Sequence, residues 1–368
     1  KEENMKGKVE SISVVLIMVF SLFLSARSYA TEWVNPKELF KDPDIARLQR
    51  GQKELTDVEK KEIKVYGFTG LEVMTYLYCN QEPGLYGRGY FKHYFIITST
   101  GKIFRHDYLE RFKYYYKDKV ALVKLDGIKP GDLMRRYIHI QLYPPETERN
   151  GVYVCNYLKS EKHTKRGNFY TYNRKIRRVS HNPISKNESG VYGGELTMYD
   201  FFYRQLWDSD YRILGEDTIR GHECLVIEGR NKIYKNHYNN KYVSWVDKNI
   251  FIDIHEEQFD RDGTLYRVAD KEWSQLKPSN WWVCNEWNIT NINTKARVVH
   301  QFYDWLIDQK YSDNDFEPSK MAEEHLWRKL DTKKLPPLIK KASDLPPENK
   351  VRWEFWNKIR VKPVVKNP

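Results

Sequence analysis

The sequence of 368 residues contains only four cysteines, and no two of them lie close together. Because structural zinc sites use cysteine pairs at short spacing, this pattern does not favour one. In an oxidising compartment four cysteines allow two disulfides in three connectivities. A chain of this length also builds a core without crosslinks, and its thiols then stay free and buried. The sequence leaves both alternatives open for Cys79, Cys155, Cys224 and Cys284.

Motifs of the common catalytic and nucleotide-binding sites are also missing. The glycine-rich run GLYGRG at 84–89 does not join a strand to a helix, so it indicates a plain loop. The run DRDG at 260–263 begins like a calcium loop but lacks the later acidic ligand, which favours a hairpin turn. No G-x-S-x-G elbow or Cys/His signature is present. We therefore expect a protein that is not an enzyme, with no catalytic residue, no metal site and no cofactor.

One cluster of ionisable residues, His255-Glu256-Glu257, falls on a predicted strand. Successive side chains of a strand point to opposite faces, so His255 and Glu257 share one face and Glu256 lies on the other. This arrangement suits neither a helical zinc pair nor a catalytic dyad. We interpret the run as a solvated strand face.

Long apolar runs are confined to the first thirty residues. Lys6 and Lys8 precede the run ISVVLIMVFSLFL at 12–24, and the small-x-small sequence SYA follows at 28–30. The apolar run is shorter than the roughly 20 residues that span a bilayer, so a retained anchor is the weaker alternative. The pattern predicts a signal peptide at 1–30, cleavage before residue 31, and export to the periplasm.

Positive charge exceeds negative charge, with 62 Lys and Arg against 50 Asp and Glu, a net charge of +12. Cleavage after residue 30 would leave 58 basic and 47 acidic residues, a net charge of +11. Such an excess favours anionic partners, which outside the cytoplasm are mainly phospholipid and lipopolysaccharide headgroups. We expect an anionic membrane surface as a partner and no nucleic acid; the alternative is that the charge serves solubility alone.

Alternation of apolar and polar residues dominates from about residue 67 and predicts strands. Turn residues at 99–102, 247–249, 260–263 and 293–295 separate these runs, which indicates hairpins and a meander. We predict ten to twelve strands in a mainly β protein, a large curved antiparallel sheet forming an unclosed β-barrel covered by short α-helices.

Two short helices are predicted before the strands, from NPKE at 35–38 and DPD at 42–44, because each combines a capping residue with a proline near the helix start. The proline-broken, basic and aromatic C-terminus predicts an extended arm, either packed on the body or docking elsewhere. The predicted segments are a signal peptide (1–30), a helical segment (31–65), a β domain (66–330) and a basic arm (331–368).

The run TMYDFFYRQLW at 197–207 predicts a short amphipathic helix between strands. Thr197 can cap this helix, with Asp200 three residues later, and four apolar side chains share one helical face. Such a helix covers a sheet either as a movable lid or as a permanent plug. The four apolar residues are Met198, Phe201, Phe202 and Leu206.

The run FYTYNRKIRRVS at 169–180 combines aromatic residues with four cations. Asn173 and Arg174 can form a turn, which places FYTY on one strand and KIRRVS on the next. The aromatic and basic side chains then alternate across a sheet and do not form a helical basic stripe. This hairpin is a landmark of the resemblance described next.

The order of the motifs resembles the periplasmic outer-membrane lipoprotein-sorting-protein family, in the wider superfamily of Lol-type lipoprotein carriers. FYTYNRKIRRVS, YDFFYRQLW, DYRILGEDTIRGHECLVIEGRNK and YVSWVDKNIFIDIHEEQFDRDGTLYRV follow one another between about 89 and 330. The resemblance implies an unclosed, strongly bent sheet whose apolar concave face, covered by short helices, receives acyl chains. The matching positions are Tyr172, Asn173, Arg177, Arg178, Asp200, Phe201, Gly221, Trp245, Val246, Asp247, Asp260 and Gly263.

The function that the resemblance implies is a carrier that moves a lipid or a lipoprotein acyl chain toward the outer membrane or an export pump. Its partners would be a lipid or an acylated protein, with an inner-membrane pump or an outer-membrane acceptor. The candidate ligand-binding residues are the four lid residues Met198, Phe201, Phe202 and Leu206, together with Tyr172, Arg177, Arg178 and Trp245.

This chain departs from the simple carriers in its length, its basic arm and its many tyrosines, 27 in all. These departures leave the cargo open, so a phospholipid or hopanoid-like lipid is as compatible as a lipoprotein. The alternatives are a non-transporting envelope scaffold whose basic arm binds a partner, and a hydrolase with dispersed catalytic residues. A large apolar interior would separate a carrier from a scaffold.

Overall fold

The computed structural model describes most of the chain, and its elements begin with short helices. No helix in the described ranges is both long and apolar enough to cross a membrane. The α-helices are α1 (Pro36–Leu39), α2 (Asp57–Tyr66), α3 (Gly70–Gln81) and α4 (Trp353–Lys358). The described residues are 32–40, 54–117, 119, 123, 127, 129–158, 167–182, 196, 204–232, 241–323 and 345–365.

Fourteen strands within these ranges form one sheet. Their order across the sheet is β6-β5-β4-β3-β2-β1-β13-β12-β11-β10-β9-β8-β7, with antiparallel neighbours, and β14 adds to β11 in parallel. The strands are β1 (Gly87–Ile97), β2 (Ile103–Tyr114), β3 (Leu133–Tyr143), β4 (Gly151–Tyr157), β5 (Gly167–Asn173), β6 (Arg178–Asn182), β7 (Ser209–Ile219), β8 (His222–Asn231), β9 (Lys241–Asp247), β10 (Asp253–Phe259), β11 (Thr264–Leu276), β12 (Trp281–Asn291), β13 (Arg297–Ile307) and β14 (Val364–Val365).

The predicted fold class is confirmed, since the sheet is large and antiparallel and its end strands β6 and β7 do not pair with each other. The predicted hairpins at 99–102, 247–249, 260–263 and 293–295 are all present. The predicted strand number, ten to twelve, is too low. Part of the difference is β14, a two-residue strand of the C-terminal arm, which no local pattern distinguishes from a loop.

The basic hairpin turns later than predicted. β5 ends at Asn173, and β6 begins only at Arg178, so Lys175 and Ile176 belong to the turn and not to a strand. The side chain of Asn173 accepts hydrogen bonds from the backbone N–H of Lys175 (3.0 Å) and Ile176 (3.4 Å). An Asn side chain that bonds the next residues in this way stabilises a wider turn, which the sequence interpretation had shortened to two residues.

Helix α3 contradicts the prediction that strands begin near residue 67. It starts with a capping box, in which the backbone N–H of Glu72 donates to Thr69 Oγ1 (3.1 Å) and that of Thr69 donates to Glu72 Oε2 (2.6 Å). Nearly every residue of α3 is buried. A helix buried on all sides has no polar stripe, so the helical period is hidden in the sequence. The predicted helix at 35–38 is confirmed as α1, while 42–44 lies outside the described residues.

Helix α3 is fixed to the sheet through one buried carboxylate. Glu62 of α2 accepts hydrogen bonds from the backbone N–H of Gly70 (2.9 Å) and of Ile213 in β7 (2.6 Å). The first helical residue has no side chain, and a Cβ atom at Gly70 would lie 2.9 Å from the Cα atom of Arg212. The absence of a side chain therefore lets α3 approach the backbone of β7 directly.

Both faces of the sheet are covered, and the strand register assigns each residue to one face. The helix-covered face packs on α3, for example through Ile213, Leu225 and Ile227. The arm-covered face carries the alternate residues of the same strands. It packs on Phe316, Met321, Leu345, Phe355 and Trp356, which come from segment 313–322 and from the C-terminal arm.

The described part of the C-terminal arm packs on the meander. Trp356 donates its indole N–H to Glu257 (2.6 Å), and the backbone N–H of Arg352 donates to the same carboxylate (2.7 Å). Phe355 packs edge-on against Trp245, with ring centroids 5.3 Å apart. Residues 345–365 of the arm therefore cover β9 and β10 and shield them from water.

The interpretation of His255-Glu256-Glu257 as a solvated face is wrong. The three residues are 2%, 7% and 0% exposed, respectively. Glu257 is covered by the arm, and Glu256 on the other face accepts hydrogen bonds from Arg204 (2.9 and 3.2 Å). A strand with charged residues on both faces has the sequence pattern of a solvent-exposed edge strand. Here, however, each charged residue is buried and paired with a partner in the interior.

None of the four cysteines forms a disulfide, and all four lie in the described part of the chain. Cys79, Cys155 and Cys224 are buried, and they lie in separate clusters of the core. Burial raises the pKa of Cys79 to about 12, which keeps this thiol protonated and unreactive. Of the two alternatives left by the sequence, the structure has free thiols, three of them buried and that of Cys284 partly buried.

We predict that His255 makes the protein less stable as the pH becomes alkaline. Burial by itself lowers the pKa of His255, but hydrogen bonds to Asp270 and Glu257 raise it from 6.5 to about 9. This stabilisation is complete below pH 6.5 and is lost as the pH rises through about 9. The expected loss is on the order of 3 kcal/mol. Urea titrations at several pH values across that range would measure it as a fall in the free energy of unfolding.

The variant His255→Gln should flatten this pH dependence. The exposed His181→Gln is the matched control and should keep it. An equally steep decline in His255→Gln would show that another group is responsible.

A candidate ligand-binding site on the helix-covered face

A belt of polar and aromatic side chains crosses the centre of the helix-covered face. It spans five adjacent strands, from β3 through β2, β1 and β13 to β12. In the register, Glu110 faces His139, Tyr94 faces His300, and Trp287 faces His300. We call this set the polar belt; its members are Tyr90, Lys92, Tyr94, Tyr108, Glu110, His139, Trp287 and His300.

The centre of the polar belt is a buried ion pair between Lys92 and Glu110, whose side chains are only 4% and 6% exposed. Glu110 also accepts hydrogen bonds from the Tyr90 hydroxyl (2.7 Å) and from His139 Nδ1 (3.1 Å). Burial alone would raise the pKa of Glu110, but Lys92 and His139 hold it far below its usual value. The carboxylate is therefore ionised at neutral pH.

The contact with Glu110 fixes the tautomer of His139. Burial lowers the pKa of His139, so its ring is neutral at pH 7 and carries one proton. Because the ionised carboxylate of Glu110 can only accept hydrogen bonds, the ring proton of His139 lies on Nδ1. Nε2 of the same ring is therefore a hydrogen-bond acceptor. Within the described part of the chain, this buried Nε2 has no hydrogen-bond partner.

His300 presents both ring nitrogens to the interior. It is 2% exposed, and neither nitrogen finds a hydrogen-bond partner among the described residues. Burial and the positive charge of Lys92 move its pKa well below the usual value, so the ring is neutral and offers one donor and one acceptor. A buried polar group without a partner costs about 1–3 kcal/mol.

Aromatic rings hold these histidines in place. His300 stacks on Trp287 (5.2 Å between centroids) and lies 4.8 Å from the ring of Tyr94. His139 lies 3.9 Å from the ring of Tyr108. The two tyrosine rings are 6.3 Å apart, so one row of five rings is formed by Trp287, His300, Tyr94, Tyr108 and His139.

Apolar side chains border the polar belt. On one side, Tyr94 and Tyr108 belong to a cluster with five apolar residues; on the other, Tyr90 packs on Trp305 (4.4 Å). The helix-covered face therefore combines a broad apolar surface with a few buried hydrogen-bonding groups. The five apolar residues are Ile96, Leu196, Ala269, Ile289 and Val298.

A second buried polar cluster lies after the C-terminus of α3, and its groups are satisfied. Glu82, 0% exposed, pairs with Arg135 and accepts a hydrogen bond from the Tyr116 hydroxyl (2.8 Å). Burial lowers the pKa of neighbouring Lys119 to about 8. These contacts give the cluster a structural role. Among the described residues, no group of three or more His, Cys, Asp or Glu side chains could hold a metal ion.

Those of the predicted ligand-binding residues that the structure describes lie at different places on the sheet. Leu206 lies on the helix-covered face, in the 3₁₀ turn at 206–208. Tyr172 packs with Phe316 and Met321 on the arm-covered face, and Trp245 packs there with the arm. The other three lid residues, Met198, Phe201 and Phe202, lie outside the described residues.

Arg177 lies in the exposed turn of the basic hairpin, and Arg178 is the exposed first residue of β6, so both stand apart from the cores of the two faces. Between these cations and Lys175, Ile176 is 66% exposed. Arg177 has a positive φ of 50°, which turns the chain back toward β6. The hairpin therefore displays an apolar side chain surrounded by positive charge.

The polar belt itself was missed in the sequence. A signal exists, because Lys92 and Tyr94 on β1, like Tyr108 and Glu110 on β2, are polar or aromatic residues two positions apart and so share one face of their strand. Alternation alone assigns such residues to a solvated face. Only the covering of that face by α3 and Leu196 shows that they are interior.

The unclosed antiparallel sheet is similar in fold to solved structures of low sequence identity. An outer membrane lipoprotein-sorting protein domain from Vibrio parahaemolyticus matches with a TM-score of 0.57 and 18% identity, over 69% of this chain and 98% of that chain. A DUF1329 family protein from Desulfovibrio piger matches with a TM-score of 0.58 and 16% identity, over 72% of this chain and 100% of that chain.

Two further comparisons complete this result. A protein-family model described as an uncharacterized protein matches residues 147–323. No curated protein matches the chain by sequence. At identities this low the likeness establishes the fold, and the predicted resemblance to lipoprotein-sorting proteins is confirmed at that level.

We predict that the Lys92–Glu110 pair is mutually dependent. Lys92→Met should lower the unfolding free energy by about 3–5 kcal/mol, because it leaves a buried carboxylate without its cation. Adding Glu110→Gln should recover a large part of this loss. Urea denaturation measures both variants.

The exposed pair Lys60 and Asp57 provides the control, since Lys60→Met should change the stability by less than about 1 kcal/mol. If the double variant is no more stable than Lys92→Met alone, the charge of Glu110 is not what makes the single variant unstable.

Proposed function

We propose that the protein is a non-enzymatic periplasmic carrier that binds an acyl chain of a lipid or lipoprotein on its helix-covered face. The observation that supports this most directly is the apolar and aromatic lining of that face in a lipoprotein-sorting fold. The carrier delivers its cargo toward an outer-membrane acceptor, or exchanges it with an inner-membrane export pump. It requires no cofactor for binding.

The energetics of acyl transfer favour such a surface. Each CH₂ group buried away from water contributes about 0.8 kcal/mol, so a palmitoyl chain contributes on the order of 12 kcal/mol before the entropic costs of binding. The cluster around Ile96, Ala269, Ile289 and Val298 supplies apolar contacts of this kind. In this proposal the sheet holds the apolar side chains in place, and helix α3 excludes water from them.

The basic hairpin supports an anionic membrane surface as a partner in this function. Lys175, Arg177 and Arg178 supply positive charge, and Ile176 supplies an exposed apolar tip. Basic residues near an anionic membrane contribute about 1 kcal/mol each. The hairpin would bring the carrier to the membrane at which cargo is exchanged.

The scaffold alternative depends on the basic arm binding a partner. The described part of the arm is instead bound to the protein itself, through Trp356, Phe355 and the Arg352–Asp217 ion pair (3.0 Å). This observation favours the carrier.

We predict that the protein purified from its native compartment carries a lipid or acylated peptide. Native mass spectrometry should detect a stoichiometric adduct, which solvent extraction releases and identifies. Ala269→Leu should reduce the adduct, because it adds bulk to the apolar cluster of the helix-covered face. A clean mass that persists after incubation with envelope lipids would support the scaffold.

The control for Ala269→Leu is Val299→Leu. Val299 is equally buried but lies on the arm-covered face, so it should leave the adduct unchanged. Equal losses in both variants would indicate a general effect of overpacking and not a binding face.

We predict that charge reversal of the hairpin weakens membrane binding. Arg177→Glu combined with Arg178→Glu should lower affinity for anionic vesicles at least about tenfold, as measured by vesicle sedimentation at low salt. Lys61→Glu with Lys64→Glu on α2 makes the same change in net charge and should have a smaller effect. Unchanged binding of the hairpin variant would exclude the hairpin as the contact.

A further inference from the structure

We infer that the polar belt recognises a neutral hydrogen-bond donor, a hydroxyl or an amide N–H, on the ligand bound to the helix-covered face. The inference deepens the proposed carrier function and rests on it. It concerns a part of the ligand that the apolar lining cannot recognise, because burial of hydrocarbon is non-directional.

The free acceptor atom of His139 indicates that the ligand must supply a hydrogen-bond donor. Its Nδ1–H is used by Glu110 (3.1 Å), so the remaining nitrogen, Nε2, is a lone-pair acceptor. This atom is buried and has no partner within the described ranges. Only a group that carries its own hydrogen can satisfy it, and an ester or ether oxygen cannot.

His300 provides a second point of recognition in the same row of rings. Its neutral imidazole offers one donor and one acceptor, both buried and both unmatched among the described residues. A hydroxyl satisfies either nitrogen, since it donates and accepts. An amide does the same through its N–H and its carbonyl. Buried atoms without a partner also occur elsewhere in the described chain, for example His93 Nε2, but His139 and His300 are distinguished because both lie in one row of rings beside the apolar cluster.

The charges of the polar belt exclude an anionic headgroup there. Lys92 is already neutralised by Glu110, and Lys271, which lies 5.5 Å from the Trp287 ring, is paired with Asp253. A phosphate or carboxylate at the belt would add a buried negative charge beside Glu110 without a cation of its own. Burial of an unpaired charge is strongly unfavourable, whereas a neutral donor carries no such cost.

The neighbouring apolar cluster places the hydrocarbon part of the ligand. Tyr94 and Tyr108 belong both to the row of rings and to the cluster with Ile96, Ala269 and Val298. A ligand that fits is therefore an acyl or alkyl chain adjoining a hydroxyl or an amide. Two sources share this chemistry: a free lipid with a hydroxyl, and the N-acyl amide of an acylated protein.

The test uses four probes with the same chain length on the full, delipidated protein: hexadecanol, palmitamide, methyl palmitate and palmitate. Displacement of a fluorescent dye, anilinonaphthalene sulfonate, gives their relative affinities. We expect the two donors to bind roughly fivefold or more tightly than the methyl ester. A preference for hexadecanol indicates a lipid source, and a preference for palmitamide indicates an acylated protein.

Two variants identify the residues. His300→Phe and His139→Phe keep an aromatic ring but remove its nitrogens, so each should reduce the preference for a donor toward unity while the ester still binds. The exposed His181→Phe is the control and should keep the full preference. Circular dichroism verifies that each variant is folded.

A spectroscopic measurement covers the case in which a histidine variant does not fold. In the unmodified protein, ¹⁵N NMR should show the Nε2 resonance of His139 shift when hexadecanol is added and stay in place when methyl palmitate is added. An unshifted resonance would overturn the assignment of His139.

The outcomes separate this inference from the proposed function. Equal binding of alcohol, amide and ester overturns the donor site and leaves the carrier intact. Tightest binding of palmitate also overturns it, because an anion would then be preferred. Failure of every probe to bind overturns both the site and the carrier.

Discussion

The buried ion pair between Lys92 and Glu110 is the constraint on which the interior of the helix-covered face depends. Two charges removed from water are tolerated only when further hydrogen bonds satisfy the carboxylate, and Tyr90 and His139 supply them. This requirement has a consequence for recognition. Because His139 gives its one proton to Glu110, its second nitrogen faces the apolar interior as an acceptor. In the proposed carrier, structural stability and ligand recognition would therefore share a single network.

Different segments cover the two faces of the sheet. On the arm-covered face, Trp356 and Arg352 satisfy Glu257, and aromatic packing around Trp245 closes the core. On the helix-covered face, polar atoms of His139 and His300 have no partner in the described chain. Unmatched buried atoms also occur on the arm-covered face, for example His93 Nε2, so the proposed site depends on the shared row of rings that holds His139 and His300 and not on a difference between the faces.

The fold was predicted well where the local pattern carries the information, as in the hairpins at 247–249 and 260–263. Helix α3 was missed although its capping box, Thr69 with Glu72, is visible in the sequence, because burial on every side removes the helical period. The strand His255-Glu256-Glu257 was misjudged for a related reason. Its charged residues are paired with Asp270, Arg204 and the arm, and each partner is at least 15 residues away in the chain from the residue it contacts.

The sequence alone determined the class of protein: an antiparallel sheet made of hairpins, with turn residues and alternation that act over a few neighbouring positions. It also determined which residue types are available, including the many tyrosines and the cations of the basic hairpin. Only the tertiary structure decided which face of each strand lies inside, since alternation gives two faces and not their environment. Tyr172 and Trp245 thus lie under covering segments on the arm-covered face, while His139 and His300, hidden in ordinary strands, meet in the interior.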